Sequence, residues 1–523
     1  MKVLLEQIIT PVTSTDEEMF DIARARIKKT RALTLSGDMY VYKRSVDARH
    51  KDSIKLVNTV CADVTVLNGK SNDDLSKFNI KILSNEQIEF EYHGEKPINP
   101  PIVVGFGPCG MFCALGLARA GLNPIVIERG ADVDSRVQAV EKFYKTKILD
   151  TQTNIQFGAG GAGTFSDGKL TTRINDPKCS YVLKTLCEFG APEEIMYQAM
   201  PHIGTDLLRG VIKNIASEIV RLGGEIHYNT QLLSYDNGIA VTNCGSFAYS
   251  SLVLAIGHSA RDTYAYLLTK GVAIEPKPFS VGVRIEHLQA DINEAMYGTG
   301  VGIDRLGAAP YNVSYRQNDR GVYSFCMCPG GQVVAAQSEE DTVVVNGMSH
   351  HARDGVNSNS AIAVQINRDD YGNTPKKAID FQRSLEKNAF VLAGSSYKAP
   401  MQTLGDFYDG KASSEPKRIL PSYMNGYTEI CDLNKILPKV VSDYLKLGFE
   451  KFGKKIKGFD AKDVPITGVE TRTSAPIRIL RGESYCMLTD KNVFPGGEGA
   501  GYAGGIMSAS VDGLNIALAI LKK

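Results

Sequence analysis

Residues 101–130 read PIVVGFGPCGMFCALGLARAGLNPIVIERG, and this stretch decides the fold. The apolar run Ile102–Val104 ends at Gly105-x-Gly107-x-x-Gly110. An apolar helical segment follows, then a second apolar run that ends on Glu128. Strand, glycine turn, helix, strand and terminal acid thus fall in the order of a dinucleotide-binding βαβ unit. Gly105 makes the tight turn, Gly107 lets the backbone approach a pyrophosphate, and Gly110 lets the helix pack on the strand. The helix amino end near Gly107–Met111 would receive the anion. Glu128 would accept from a ribose hydroxyl, with Arg129 beside it in the same cradle. The competing reading is a tight strand–helix turn without a ligand. Cys109 and Cys113, one helical turn apart, read as packing thiols.

Working outward, the tail NVFPGGEGAGYAGGIMSASVDG (492–513) is a second strand, glycine turn and helix. A βαβ unit early in the body, with its sheet completed by the last residues, is a flavoprotein arrangement. It places Gly497, Glu498 and Gly501 at the cofactor, with Glu498 on a ribitol hydroxyl. The following helix amino end would stabilise negative charge on reduced flavin. Gly257 ends the apolar run LVLAIG as a third close approach. The loop NIQFGAGGAGTFSDGKL (154–170) offers many positive-φ positions for wrapping a planar or anionic ligand. Gly160, Gly161, Gly163, Thr164, Phe165, Ser166 and Lys169 are its candidate contacts. FAD is therefore the expected cofactor. No second Gly-x-Gly-x-x-Gly follows a strand in 170–523 and no Cys-x-x-Cys occurs, so NAD(P)H enters only as a candidate diffusible electron donor.

The 523 residues carry 43% hydrophobic and 22% charged side chains, which is ordinary globular composition for two to four folding units. Lys+Arg total 59 against 58 Asp+Glu, a net +1 that gives no global field for nucleic acid or anionic membrane. Ten cysteines without an even-spaced framework read as reduced thiols, and the amino-terminal MKVLLEQIIT is no signal peptide. No stretch reads as a transmembrane span, and a cytoplasmic protein is expected. The fold class is α/β: a Rossmann-like FAD-binding domain with an inserted mixed α+β substrate domain and a small α+β amino-terminal module. The boundaries are 1–97 for the module, 98–275 and 465–523 for the FAD-binding domain, and 276–464 for the insertion.

Within the insertion, FSVGVRIEH (279–287) puts Arg284 and Glu286 on one strand face and His287 on the other. His287 is a candidate proton donor. Arg284 and Arg472 are candidate clamps for a substrate carboxylate or phosphate, with domain-locking ion pairs as the competing reading. Cys326-x-Cys328 puts both thiols on one strand face, read as core packing rather than redox work. The His350–His351 pair has no acid or Cys at ligand spacing, so no metal site is expected. A basic stretch at 24–55 has ten positives against Asp38, Asp47 and Asp52. It reads as a solvated or ion-paired face, with RNA binding as the alternative. A Lys-rich helix near 433–456 reads as an amphipathic surface helix, with a membrane-lying helix as the alternative.

The runs KRSVDARHKDSIKLVNTV (43–60), 154–170, PHIGTD (201–206), LAIGHSARDT (254–263), KPFSVGVRIEH (277–287), VYSFCMCPGGQVV (322–334), VVVNGMS (343–349) and GVETRTSAPIRILR (468–481), together with the tail, carry a resemblance over nearly the whole chain. It resembles the bacterial FAD-dependent proteins often labelled NAD(FAD)-utilising dehydrogenases, within the p-hydroxybenzoate-hydroxylase-like flavoproteins. The resemblance implies Glu128 on the adenosine ribose, Arg136 near the cofactor, the Leu232 backbone bordering the adenine, and Glu498 where an Asp commonly serves the ribitol. Gln156 stands where an acid is expected before the double glycine. The function expected is an FAD-dependent oxidoreductase moving a hydride between flavin and a small or lipid-like organic substrate. The alternatives are an RNA-modifying flavoprotein and a non-catalytic flavin-based redox sensor or partner-binding protein. Substrate, electron donor and oligomeric state are not written in the sequence.

Overall fold

In the computed structural model, which describes residues 1–67, 75–83 and 88–523, the two apolar runs of the opening motif pair in parallel. They lie inside a five-stranded sheet ordered Val493–Pro495, Leu252–Leu254, Ile102–Val104, Ile125–Ile127, Glu225–His227. Every neighbour pair is parallel. From the central Ile102–Val104 the chain builds one side of the sheet and later returns to build the other. The order therefore reverses between Ile102–Val104 and Leu252–Leu254, and ligands bind such sheets outside the carboxyl ends of strands at that reversal. The helix Pro108–Arg119, buried from Cys109 to Ala118, packs along the last helix, Ile506–Leu521. Burial on nearly every side explains why its sequence is apolar all round.

The amino-terminal module is a four-stranded sheet in the order Leu33–Asp47, Lys55–Val66, Lys2–Pro11, Ile80–Ile82, covered by the helix Asp16–Thr30. Thr15 starts that helix through a capping box with Glu18. Residues 68–74 and 84–87, within the span assigned to this module, lie outside the described residues. The module docks on the body through Arg44, whose backbone exchanges hydrogen bonds with Tyr197 O and Ala199 N.

The inserted region forms a seven-stranded sheet in the order Ser314–Gln317, Arg320–Cys328, Asn357–Ile366, Phe279–Leu288, Pro465–Glu470, Ala399–Thr403, Thr428–Ile430. Pro465–Glu470 pairs with Phe279–Leu288 and Ala399–Thr403, so the chain returns to the dinucleotide domain after Glu470, not at the expected 464/465 boundary. Pro438 separates a short turn at Leu433–Lys435 from the helix Lys439–Gly453. Val441, Leu445, Phe449 and Phe452 of that helix are buried in the core of the cap, which leaves no apolar face for a membrane. Among the described residues no helix is long and apolar enough to cross one.

Candidate functional site

Three glycine turns leave the carboxyl ends of adjacent strands and meet. Gly105 has φ +99°, and a Cβ there would lie 2.3 Å from Ala255 O, so this turn accepts only glycine. Gly499 is held as tightly against the next turn, where a Cβ would meet Gly257 O at 2.4 Å. Gly110, Gly160, Gly161, Gly497 and Gly501 likewise face protein atoms within 3 Å. Gly107 is different: its φ is −81° and a Cβ would meet only Gly161 Cα, at 3.6 Å. Gly257, Gly504 and Gly505 point at nothing within 4 Å. These open glycines ring the amino ends of the helices Pro108–Arg119 and Ile506–Leu521. Gly163 joins the two ends, since its Cβ position lies 3.2 Å from Ile506 and 4.0 Å from Pro108. Two helix amino termini facing open space lined by glycine form a cradle that suits an extended dianionic nucleotide.

At one end of the cradle, buried Glu128 accepts from the backbone N–H groups of Phe106 (2.7 Å), Gly130 (2.9 Å) and Gly158 (2.9 Å). Two of these three bonds fall on Oε1, so Oε2 keeps acceptor capacity for a ribose hydroxyl. Thr230 N donates to Glu128 O, which brings the segment ending at Leu232 beside this carboxylate. Arg129 is taken up by both oxygens of Asp262 (2.7 and 2.8 Å) and lies over Phe157.

The polar residues of the 154–170 loop build the loop itself. Arg136 is fully buried, and its guanidinium donates to the carbonyls of Asn154, Ile155, Gly158, Ala159 and Gly161. It shapes the loop from behind. Thr164 Oγ1 donates to Ala159 O, and Ser166 Oγ donates to Gly163 O. Phe165 lies between Arg136 and Arg209, each 5.0 Å from its ring centre. Lys169 donates to Met327 O, joining the loop to the cap. Gln156, at the position where an acid was expected, donates to Ala336 O and accepts from Ser259 Oγ.

At the other end stands Glu498, whose carboxyl makes no hydrogen bond among the described residues. Burial pushes it up to about 7, against the pull of Lys277. His258 Nε2 lies 4.0 Å away, and His258 Nδ1 is hydrogen-bonded to Ser259 Oγ at 2.9 Å. Burial, then Arg472 and Arg261, bring His258 down to about 3, so the imidazole is neutral at pH 7. His258 is the residue that sequence reasoning missed. Its signal was its place directly after Gly257, at the exit of a strand carrying one of the three turns.

The three candidate catalytic residues in or beside the insertion are engaged elsewhere. Arg284 is fully buried, and all five of its N–H donors are used on Glu470 (2.8 and 3.2 Å), Asn346 (2.8 Å), Asn359 (2.8 Å) and Cys326 O (3.0 Å). Arg472 donates to Glu386 (2.9 and 3.1 Å), Ser259 Oγ (3.0 Å) and Ser338 Oγ (2.6 Å). Glu386 also takes Arg261 through two bonds of 2.7 Å, so Arg472 belongs to a buried lock between cap and dinucleotide domain. His287 bonds Phe459 O at 3.0 Å and packs on Phe459 and Tyr311, and burial lowers it to about 4. It is a core histidine on the strand face opposite Arg284. Four arginines of the basic amino-terminal stretch are similarly consumed: Arg24 by Glu17 and Asp21, Arg26 by backbone carbonyls, Arg44 by Asp16, and Arg49 by Asp47.

A parallel sheet with glycine turns and two helix amino ends at its reversal defines a doubly wound α/β fold with a ligand crevice at the switch point. Residues 278–473 match the family described as "FAD-dependent protein, C-terminal domain-like". An uncharacterized protein of Clostridium beijerinckii (strain ATCC 51743 / NCIMB 8052) is 49% identical over 496 residues, 92% of each chain. The chain belongs to one family with this Clostridium protein. Among solved structures, an FAD complex of a mutant of the halogenase PltM has a TM-score of 0.37 at 10% identity, covering 82% of this chain and 70% of the halogenase. The glycine oxidase of Geobacillus kaustophilus has a TM-score of 0.33 at 10% identity, covering 81% of this chain and 95% of the oxidase.

Proposed function

We propose that this protein is an FAD-dependent oxidoreductase that moves a hydride between the flavin and a small organic substrate, with NAD(P)H as the candidate diffusible donor. The observation that supports it is the ring of open glycines, Gly107, Gly257, Gly504 and Gly505, at two converging helix amino ends. The Cβ directions of Gly257, Gly504 and Gly505 meet space, and that of Gly107 makes only ordinary contact with Gly161, as a ligand cradle requires. When bound, the flavin supplies the redox chemistry, while the chain binds, orients and handles protons. Pro108–Met111 and Ile506–Met507 present helix amino ends to negative charge, and Glu128 receives the adenosine ribose. Glu498, with a carboxyl near half protonation at neutral pH, holds or releases a proton at its free oxygen. His258, neutral and tied to Ser259, lies 4.0 Å from that carboxyl.

The test separates what the ligand needs from what the fold needs. Gly107→Ala is expected to leave cooperative unfolding intact and to remove most of the bound flavin, read from the visible spectrum of the purified protein. Full flavin occupancy in Gly107→Ala would overturn the cradle assignment. The donor is then found by anaerobic mixing with NADH and with NADPH. Fast bleaching by one of them identifies a nicotinamide-dependent reductase, and no bleaching by either removes NAD(P)H from the proposal.

A further inference from the structure

Cys326-x-Cys328 does not sit in a regular strand. Phe325 pairs with Ala361 and Cys328 with Asn359, so one extra residue is carried between them, and Cys326 has φ +46°. A left-handed conformation at a residue other than glycine is strained, and such strain gathers at functional positions. Its effect here is geometric. In an extended strand, residues two apart are separated by about 6.8 Å, the outer limit for Cα atoms joined by a disulfide. At this left-handed bulge Cys328 Sγ folds back onto its neighbour and donates to Cys326 O at 3.3 Å.

The bulge is held by cations on two successive carbonyls. Arg284 Nη1 donates to Cys326 O and lies 4.0 Å from Cys328 Sγ, while Lys169 donates to Met327 O. Glu470 answers Arg284, and Asp167 lies 3.8 Å from Lys169 and also binds Arg353. Cys326 is half-buried and Cys328 buried, so only the first can meet a solute. The two thiols are driven apart in acidity. The neighbouring Cys328 thiol, then Lys169 and Arg284, pull Cys326 down against burial, and the contact with Cys326 together with burial pushes Cys328 up. A half-buried low-pKa thiol followed by a buried high-pKa one is the division of labour between attacking and resolving cysteines. Cys109 and Cys113 differ, since both are buried and both are pushed up.

We propose that Cys326 and Cys328 form a redox-active dithiol that exchanges with a low-molecular-weight disulfide, Cys326 attacking and Cys328 resolving. The Cys326 thiolate attacks one sulfur of RS–SR, forming a mixed disulfide and expelling RS⁻, which takes up the proton that Cys326 released. Cys328 then loses its proton and attacks Cys326 Sγ. The internal disulfide forms, and the second RS⁻ leaves with that proton. The balance is dithiol plus RSSR giving protein disulfide plus two RSH, with two electrons passing from the pair to the small disulfide. The exchange stands apart from the hydride-transfer reading and uses none of its residues as reactants. Lys169 and Arg284 are positioning residues.

The experiment uses the full chain as purified, equilibrated with glutathione and glutathione disulfide at a series of ratios, quenched in acid, alkylated and mapped by mass spectrometry. The expected result is loss of two hydrogens from the peptide holding Cys326 and Cys328. Cys328→Ser should retain one glutathione at residue 326, and Cys326→Ser none at residue 328. In the reduced protein near neutral pH, Cys326 should alkylate more than about tenfold faster than exposed Cys244. Two free thiols in that peptide at the most oxidising ratio would overturn the proposal. Equal alkylation of Cys326 and Cys244 would overturn the assignment of Cys326 as the attacking thiol.

Discussion

Two glutamates that are both drawn out of bulk water show how differently this molecule treats charge. Glu386, in the lock between cap and dinucleotide domain, accepts from Arg261, Arg472 and Thr471 Oγ1. Burial works against its charge, but Arg261 and then Arg472 overcome it and hold the carboxyl well below the ordinary range. Glu498, at the mouth of the cradle, has a single lysine at a distance, and burial wins. The residue type is the same and the shifts are opposite. A charged side chain near a motif is therefore informative only once its partners are counted: saturated groups hold the structure, and unsaturated ones are left for a ligand or a proton.

The largest expected effect comes from breaking the saturated side. Glu386→Ala leaves Arg472 buried without an anion and Arg261 with Glu339 alone, and should cost about 3–5 kcal/mol, read by denaturant unfolding. A loss below about 1 kcal/mol would mean that the lock is not held by charge.

The unsaturated side is tested through pH. The proton-coupled step should inflect near pH 7 in the wild type and lose that inflection in flavin-loaded Glu498→Gln. An inflection that persists in the variant assigns the proton to another group. The two carboxyls also push stability in opposite directions. The raised group contributes stability that is complete below its unfolded value and is lost as pH rises towards 7. The depressed group contributes stability that is complete above its unfolded value and is lost as pH falls towards its folded one. Glu498→Gln should therefore flatten the fall in stability between about pH 4.5 and 7.

The smallest effect separates core from chemistry within the cap. His287→Phe gives up one hydrogen bond to Phe459 O and should cost about 1 kcal/mol while leaving the rate of flavin reduction unchanged. A large rate loss without a stability loss would return His287 to the list of proton donors.

These contrasts also explain what the sequence could reveal. The βαβ unit was legible because its signals, strand, glycine turn, helix, strand and terminal acid, lie within thirty residues. The second glycine turn was legible for the same cause. The strand Asn357–Ile366, central in the cap sheet, was not: NSNSAIAVQI is buried on nearly every residue, and its Ser and Asn side chains read as loop until distant strands cover them. The helix Pro375–Leu392 was missed along with Glu386, the one acid on its buried stripe of Ala378, Ile379, Gln382, Leu385, Ala389 and Phe390. An acid in register with an apolar face signals a buried ion pair, but its partners Arg261 and Arg472 lie in other elements. The saturation of Arg136, Arg284 and Arg472 was invisible for the same reason, because their partners are backbone carbonyls and side chains supplied by remote segments. The bulge at Cys326 depends on pairing with Ala361 and Asn359, which no local pattern announces.

The edge strand Val493–Pro495 has a consequence for how the protein is made. It closes the parallel sheet by pairing Leu252 with Val493, and the turn that follows it supplies Gly497, Glu498 and the helix Ile506–Leu521. A ribosome that has translated as far as Asn492 has already delivered the first glycine turn and the 154–170 loop, but not the wall that completes the cradle. Synthesis runs from the amino end, and such distant pairings are slow to form. The cradle is therefore completed late in synthesis, only once the second turn and its helix have arrived.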